Sequence, residues 1–297
     1  MKNGVFSLPV IALSAAFLAA CSDSDSDSGN KNPAAANPEL ASSSSETLLP
    51  TSSEIAPSSS SAAPEVPEKV DPAEIPFDED GFADIQYVYR SLQPNEKAVF
   101  ALRHAERQVY SSRDSELTED GDAQALSVGQ KLVGSDEFTF THTDFVRTYK
   151  TCLDIAIGRG QATFPNDTND IFTEGWFVSN DSLYKAYSKS PSSSHMVLAS
   201  WAYNGEYTDA FYDYNEKNAE LVKMLVGDYA TASRVRIVCT HDNLLGPLAI
   251  YLTEKKVNLR AYEAKKWIYY LAGVAIITND AGVQRSYAVK GLNFGSK

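Results

Sequence analysis

The sequence predicts an α/β fold with a mostly parallel central sheet and helices on both of its faces. Three observations predict it. Residues 98–102 are a short apolar run of the kind found in strands buried on both sides, and residues 235–239 read as another strand. Between them lie segments whose apolar residues recur near helical spacing, so strands alternate with helices. The 217 residues after residue 80 are enough to bury one sizeable core.

The elements follow in order. After the strand at 98–102 comes a polar loop at 103–115. A helix is expected at 123–133, where Ala125, Val128, Leu132 and Val133 share a face and Thr118 is the N-cap candidate. A strand is expected at 138–141, then helices at about 147–157 and 209–225. A strand at 235–239, a β-rich stretch at 267–277 and a last strand near 285–289 complete the set. In such a sheet, sites gather at the carboxyl ends of strands. That rule singles out Arg103-His104 and Thr240-His241, each directly after an expected strand.

The first 80 residues read differently. Lys2 and the apolar run at 5–20 form an export signal too short and too lightly flanked to span a membrane. It ends in Leu18-Ala19-Ala20-Cys21, which resembles the bacterial lipobox. The resemblance implies cleavage before Cys21 and a lipid on that cysteine, placing the chain on a membrane of the cell envelope. Ser22 in the next position favours the outer membrane, facing the periplasm or the surface. Residues 22–80 are dominated by Ser, Ala, Pro and acid and hold little that can be buried, so they read as a disordered tether. The expected division is therefore 1–21 signal, 22–80 tether and 81–297 folded domain. Residues 22–80 hold 13 Asp and Glu against 2 Lys, which accounts for −11 of the net −13. With Lys2 adding one positive charge, the domain carries only −3, and the acidity of the whole chain says nothing about its substrate.

Chemistry concentrates in ordered motifs. Leu102-Arg103-His104-Ala105-Glu106-Arg107 comes first, then Leu117-Thr118-Glu119-x-Gly121-x-x-Gln124-Ala125. Asp144-Phe145-Val146-Arg147-Thr148-x-x-Thr151 follows, then Glu174-Gly175-Trp176, and last Val238-Cys239-Thr240-His241. Across residues 97–277 this series resembles the histidine phosphatase superfamily, in its phosphoglycerate mutase-like branch. The resemblance implies a phosphoglycerate mutase-like sheet with an aromatic-rich insertion. It implies His104 as the nucleophile, and Arg103, Arg107, Arg147 and His241 as the phosphate-binding set. The residue types suit that chemistry. A guanidinium fork grips two phosphate oxygens and never deprotonates. A neutral imidazole nitrogen attacks phosphorus when a carbonyl holds the other nitrogen protonated.

A leaving alkoxide also needs an acid. Glu174 resembles the donor of the mutase-like branch, and Asp242 resembles the His-Asp pair of the acid phosphatase branch. The interval of 137 positions from His104 to His241 favours the first. Two positions depart from the pattern. Ala105 stands where glycine is usual, which is tolerable only outside Gly-only backbone angles. Asp242-Asn243 replaces the small residues common after the second histidine.

The other conspicuous residues have plainer readings. His142 is expected to be a structural loop residue and His195 to sit at a strand edge. The aromatics at 176–214 are equally suited to a cap over the leaving group and to packing at the sheet edge. Cys152 and Cys239 leave a disulfide open. No metal-ligand spacing occurs, and scattered basic residues give no nucleic-acid footprint. The expectation is a cofactor-free, metal-independent phosphomonoesterase that takes a phosphorylated small molecule. The alternatives are a catalytically silent phosphate-binding lipoprotein, or mutase-type or phosphohistidine phosphotransfer.

Overall fold

The computed structural model describes residues 68–109, 112–173, 175–227 and 232–297. The signal segment, Cys21 and most of the tether lie outside the described residues, as does Glu174. The folded part begins before residue 81. Ile75 is buried, Asp78 pairs with Lys290, and Asp80 pairs with Arg260. The acidic, Pro-rich composition of residues 70–80 concealed this, because their contacts are made with the far end of the chain.

Among the described residues seven strands form one sheet: β1 (Phe82–Asp84), β2 (Lys97–Arg103), β3 (Phe138–His142), β4 (Asn166–Thr168), β5 (Val235–Thr240), β6 (Ala272–Asn279) and β7 (Gly282–Lys290). Their order is β1-β7-β6-β2-β5-β3-β4. The pairings β1–β7, β2–β5, β3–β5 and β3–β4 are parallel, while β6 runs antiparallel to both β2 and β7. The sheet is thus mostly parallel, as the alternation of elements predicted.

Alternate residues of each central strand feed two cores. Ala98, Phe100 and Leu102 point to one face with Val235, Ile237 and Cys239. There they meet α1 (Ile85–Arg90), α2 (Glu119–Lys131) and α3 (Val146–Gly158). Val99, Ala101 and Val238 point to the other face, against α5 (Ser194–Asn204), α6 (Tyr214–Val226) and α7 (Asp242–Leu252). The short α4 (Asp181–Tyr187) lies in the same region, with Leu183 and Tyr184 against this second core. Among the described residues no helix is long and apolar enough to cross a membrane.

Thr118 caps α2 by accepting from the Gly121 N–H at 3.0 Å, so the helix starts at Glu119, earlier than its apolar face alone indicated. α6 starts later than expected, because the Asp213 carboxylate accepts from the Asn215 and Glu216 N–H groups and fixes the start there. Residues 267–271 stay outside β6: Leu271 adopts φ of 57°, which turns the chain before the ladder begins. His195 is not at a strand edge. It lies in the first turn of α5, whose start is set by Ser193 accepting from the Met196 N–H. Cys152 and Cys239 are buried free thiols.

Candidate active site

The register of β2 and β5 creates the site. Arg103 and Thr240 are the last residues of their strands and are direct parallel partners. The following residues, His104 and His241, therefore leave the sheet side by side. The His104 N–H donates to the Thr240 carbonyl at 3.0 Å, which extends the ladder by one bond. Their rings meet edge to face with centroids 5.6 Å apart.

His104 is 3% exposed. Its Nδ1 lies 2.7 Å from the Ala105 carbonyl, which is an obligate acceptor. Nδ1 therefore carries the proton and donates, leaving the Nε2 lone pair available. Burial, reinforced by the Arg103 guanidinium and by His241, holds this imidazole well below the ordinary value of 6.5. His241 is pushed down to about 3, first by burial and then by Arg147. Both rings are thus neutral at physiological pH. The His241 Nε2 lies 3.1 Å from the Thr143 hydroxyl, and Phe145 packs edge-on against the ring.

Arginines surround the pair. Arg147 projects from the first turn of α3 and is 2% exposed. It donates to the Ser112 carbonyl at 2.8 Å, stacks on Phe145, and brings Nη2 to 3.5 Å from the His241 Nδ1. Arg107 donates to the Gln108 carbonyl at 2.9 Å and contributes positive charge at His241. Arg103 donates to the Ile268 carbonyl at 2.7 Å, lies over the Tyr270 ring, and pairs with Asp242 at 2.9 Å. Preorganised cationic donors around a neutral imidazole suit a ligand that brings two negative charges.

The loop carrying His104 is held by close packing. A Cβ at Gly121 would lie 2.1 Å from the Glu106 carbonyl oxygen, so glycine lets α2 press onto this loop. The Ala105 N–H donates to the Thr151 hydroxyl at 2.9 Å. Ala105 stays out of the left-handed region, so its methyl is accommodated without strain. The departure from glycine does not disturb the turn.

The structure brings His104, His241, Arg103, Arg107, Arg147 and Asp242 together. The Thr240 hydroxyl donates to the Phe172 carbonyl. Asp242 is 8% exposed. Burial alone would raise its carboxyl, but the hydrogen bond to His195 and the charge of Arg103 outweigh it and hold it well below the usual range. It is a carboxylate in this state.

The sequence reading missed His195. Its Nε2 lies 3.5 Å from the Asp242 carboxylate, and its ring stacks on Trp267 at 5.3 Å. Trp267 in turn donates its indole N–H to the Asp242 carbonyl at 3.2 Å. No local pattern pointed there; only the packing of α5 on α7 joins these residues. His142 ends β3 rather than lying in a loop, with its nitrogens 2.8 Å from the Thr143 carbonyl and 3.2 Å from Asn166. Among the described residues no three His, Cys, Asp or Glu side chains cluster as metal ligands.

The sequence matches no protein-family model and no curated protein. Solved structures do resemble it. A phosphoglycerate mutase from Bacillus anthracis str. Sterne is 16% identical with a TM-score of 0.46, covering 65% of this chain and 93% of its own. A mycobacterial glucosyl-3-phosphoglycerate phosphatase is 16% identical at 0.40, covering 65% and 97%. A protein histidine phosphatase complexed with tungstate is 14% identical at 0.38, covering 64% and 96%. Fold alone does not carry function. What the chain does is read from the geometry of its own site.

Proposed function

We propose that this chain hydrolyses phosphomonoesters through a phosphohistidine on His104, without a metal or organic cofactor. The observation that carries the reading is the His104 ring. It is buried, neutral, fixed with Nε2 as its free nucleophilic nitrogen, and surrounded by Arg103, Arg107, Arg147 and His241. In the first step Nε2 attacks phosphorus and the bond to the leaving oxygen breaks, with that oxygen taking a proton from an acid. The imidazole becomes a phosphoimidazolium whose Nδ1–H donates to the Ala105 carbonyl. Water then attacks phosphorus and passes a proton to the conjugate base of that acid, the P–N bond breaks, and inorganic phosphate leaves with His104 neutral again. The arginines stabilise charge spread over the equatorial oxygens in both steps.

For the acid, the ionised state of Asp242 favours Glu174. The protein is further proposed to act in the cell envelope, tethered through lipid on Cys21. That lipid is tested by incorporation of labelled palmitate, which Cys21→Ser should abolish.

The deciding experiment is hydrolysis of p-nitrophenyl phosphate in excess EDTA. Wild-type turnover should persist, and His104→Ala should lose on the order of 10⁴-fold or more, as other nucleophile deletions do. Wild-type protein quenched during turnover of a ³²P-labelled ester should carry an acid-labile, base-stable label. Turnover that survives His104→Ala, or that depends on added divalent metal, would overturn the reading.

A further inference from the structure

We infer that Tyr270 is a positioning residue of the phosphate site: its ring holds the Arg103 guanidinium in the plane from which the fork grips a phosphoryl group. The inference rests on the proposed function and adds to it a residue that the sequence did not single out.

The constraint on Arg103 comes first. A guanidinium carries five N–H donors in one plane. Arg103 donates through Nη1 to the Ile268 carbonyl at 2.7 Å and pairs through Nη2 with Asp242 at 2.9 Å. Its Nε is shielded from solvent, so one hydrogen on each Nη is left for a ligand. Two in-plane contacts still let the fork swing about the line that joins them. A bidentate grip tolerates little of that rotation, because both donors must meet phosphate oxygens at once. The guanidinium carbon lies over the Tyr270 ring, 4.4 Å from its centre, and this face contact removes the swing. The same ring lies 5.8 Å from that of His104, so Tyr270 borders the fork and the nucleophile together.

The backbone around Tyr270 is tied at several points. Leu271 donates its N–H to the Arg103 carbonyl at 3.0 Å while adopting φ of 57°, a costly angle for a residue with a side chain. Such strain persists only where the surroundings over-determine it, and it gathers at sites that need preorganisation. Tyr269 donates to the Gly295 carbonyl at 2.9 Å and Lys297 to the Trp267 carbonyl at 3.0 Å, so residues 267–269 are held by residues 295–297. The Trp267 indole donates to the Asp242 carbonyl at 3.2 Å, which joins the segment to the partner of Arg103. The contact to Arg103 is made by the Tyr270 ring. Phenylalanine can therefore replace this tyrosine, and an aliphatic side chain cannot.

The test is a double-mutant cycle in the full chain. It is read by calorimetric titration with inorganic phosphate and by kcat/KM for p-nitrophenyl phosphate. Tyr270→Ala should weaken phosphate binding and lower kcat/KM by about tenfold each, the scale of a desolvated cation–π contact. Tyr270→Leu, which keeps bulk without a π face, should do the same if the alanine variant does not fold. Tyr270→Phe should stay within about twofold of wild type. In an Arg103→Ala background, Tyr270→Ala should cost less than about twofold, because nothing remains for the ring to hold. A residue that only packs would cost the same in both backgrounds. The inference is overturned if Tyr270→Phe loses as much as Tyr270→Ala or Tyr270→Leu. It is also overturned if those two, folded, match wild type, or if their cost persists without Arg103. Wild type that binds phosphate but does not turn over the ester overturns the phosphatase reading alone. Neither binding nor turnover in wild type overturns both.

Discussion

On the sheet side of the site, His104 and His241 are delivered by adjacent parallel strands whose last residues are register partners. On the insertion side, His195 reaches Asp242 from α5, a helix that a loop and the short α4 separate from β4. The two histidines of the sheet side are almost wholly buried, while the His195 side chain is 37% exposed. Strand ends held by a ladder have no freedom to drift, so groups that must meet phosphorus within tenths of an ångström belong there. A helix packed across the strand ends can change its sequence without disturbing the ladder, which suits recognition of the leaving group.

Mutations can break or sharpen that contrast. The largest effect is expected at Arg147. Arg147→Ala should lower kcat/KM for every ester by roughly 10²–10³-fold, whatever the leaving group, because the lost contact is to the phosphoryl group. Arg147→Lys should not restore it, since a point charge cannot replace the fork. Steady-state kinetics across an ester panel checks both, and a loss confined to one leaving group would contradict the division.

Glu174→Gln should cost an alkyl ester about a hundredfold while leaving p-nitrophenyl phosphate, whose leaving group needs no proton, within a few fold. If Asp242→Asn shows that leaving-group dependence instead, the donor assignment moves to Asp242.

His195→Ala is expected to cost about tenfold, with a diagnostic pH signature. His195 helps to hold the Asp242 carboxyl low, so its removal raises that carboxyl. Asp242 then protonates at higher pH and Arg103 loses its partner sooner. The acid limb of the kcat/KM profile should shift to higher pH, and His195→Gln, which retains a donor, should bring part of it back. An unshifted limb would mean that His195 only packs against Trp267.

The smallest effect is one of stability on the sheet side. Gly121→Ala places a methyl against the Glu106 carbonyl, and should destabilise the domain by about 1–3 kcal/mol in thermal unfolding. An unchanged Tm would show that the His104 loop is softer than its hydrogen bonds imply.

Legibility followed the range of the interactions. Strands β2, β3 and β5 and helices α2 and α3 were readable because apolar runs, helical spacing and the Thr118 cap are local signals. Helix α5 and the start of α6 were missed: a Ser193 or Asp213 cap overrides the apolar pattern, and many similar residues nearby do not cap. His195 was misread because an apolar run such as Met196 to Ala199 fits a strand or a buried helix equally well.

By itself, the sequence determined the alternation of strands and helices, and with it the placement of Arg103-His104 and Thr240-His241 at strand ends. It also determined the residue types gathered at those strand ends. Only the tertiary structure decided that Arg103 pairs with Asp242 and that Asp242 is held ionised by His195. The physical reason is separation along the chain. A strand, a cap or a loop is set by residues a few positions apart. The state of Asp242 is set by groups 47 and 139 positions away, which packing alone brings within reach.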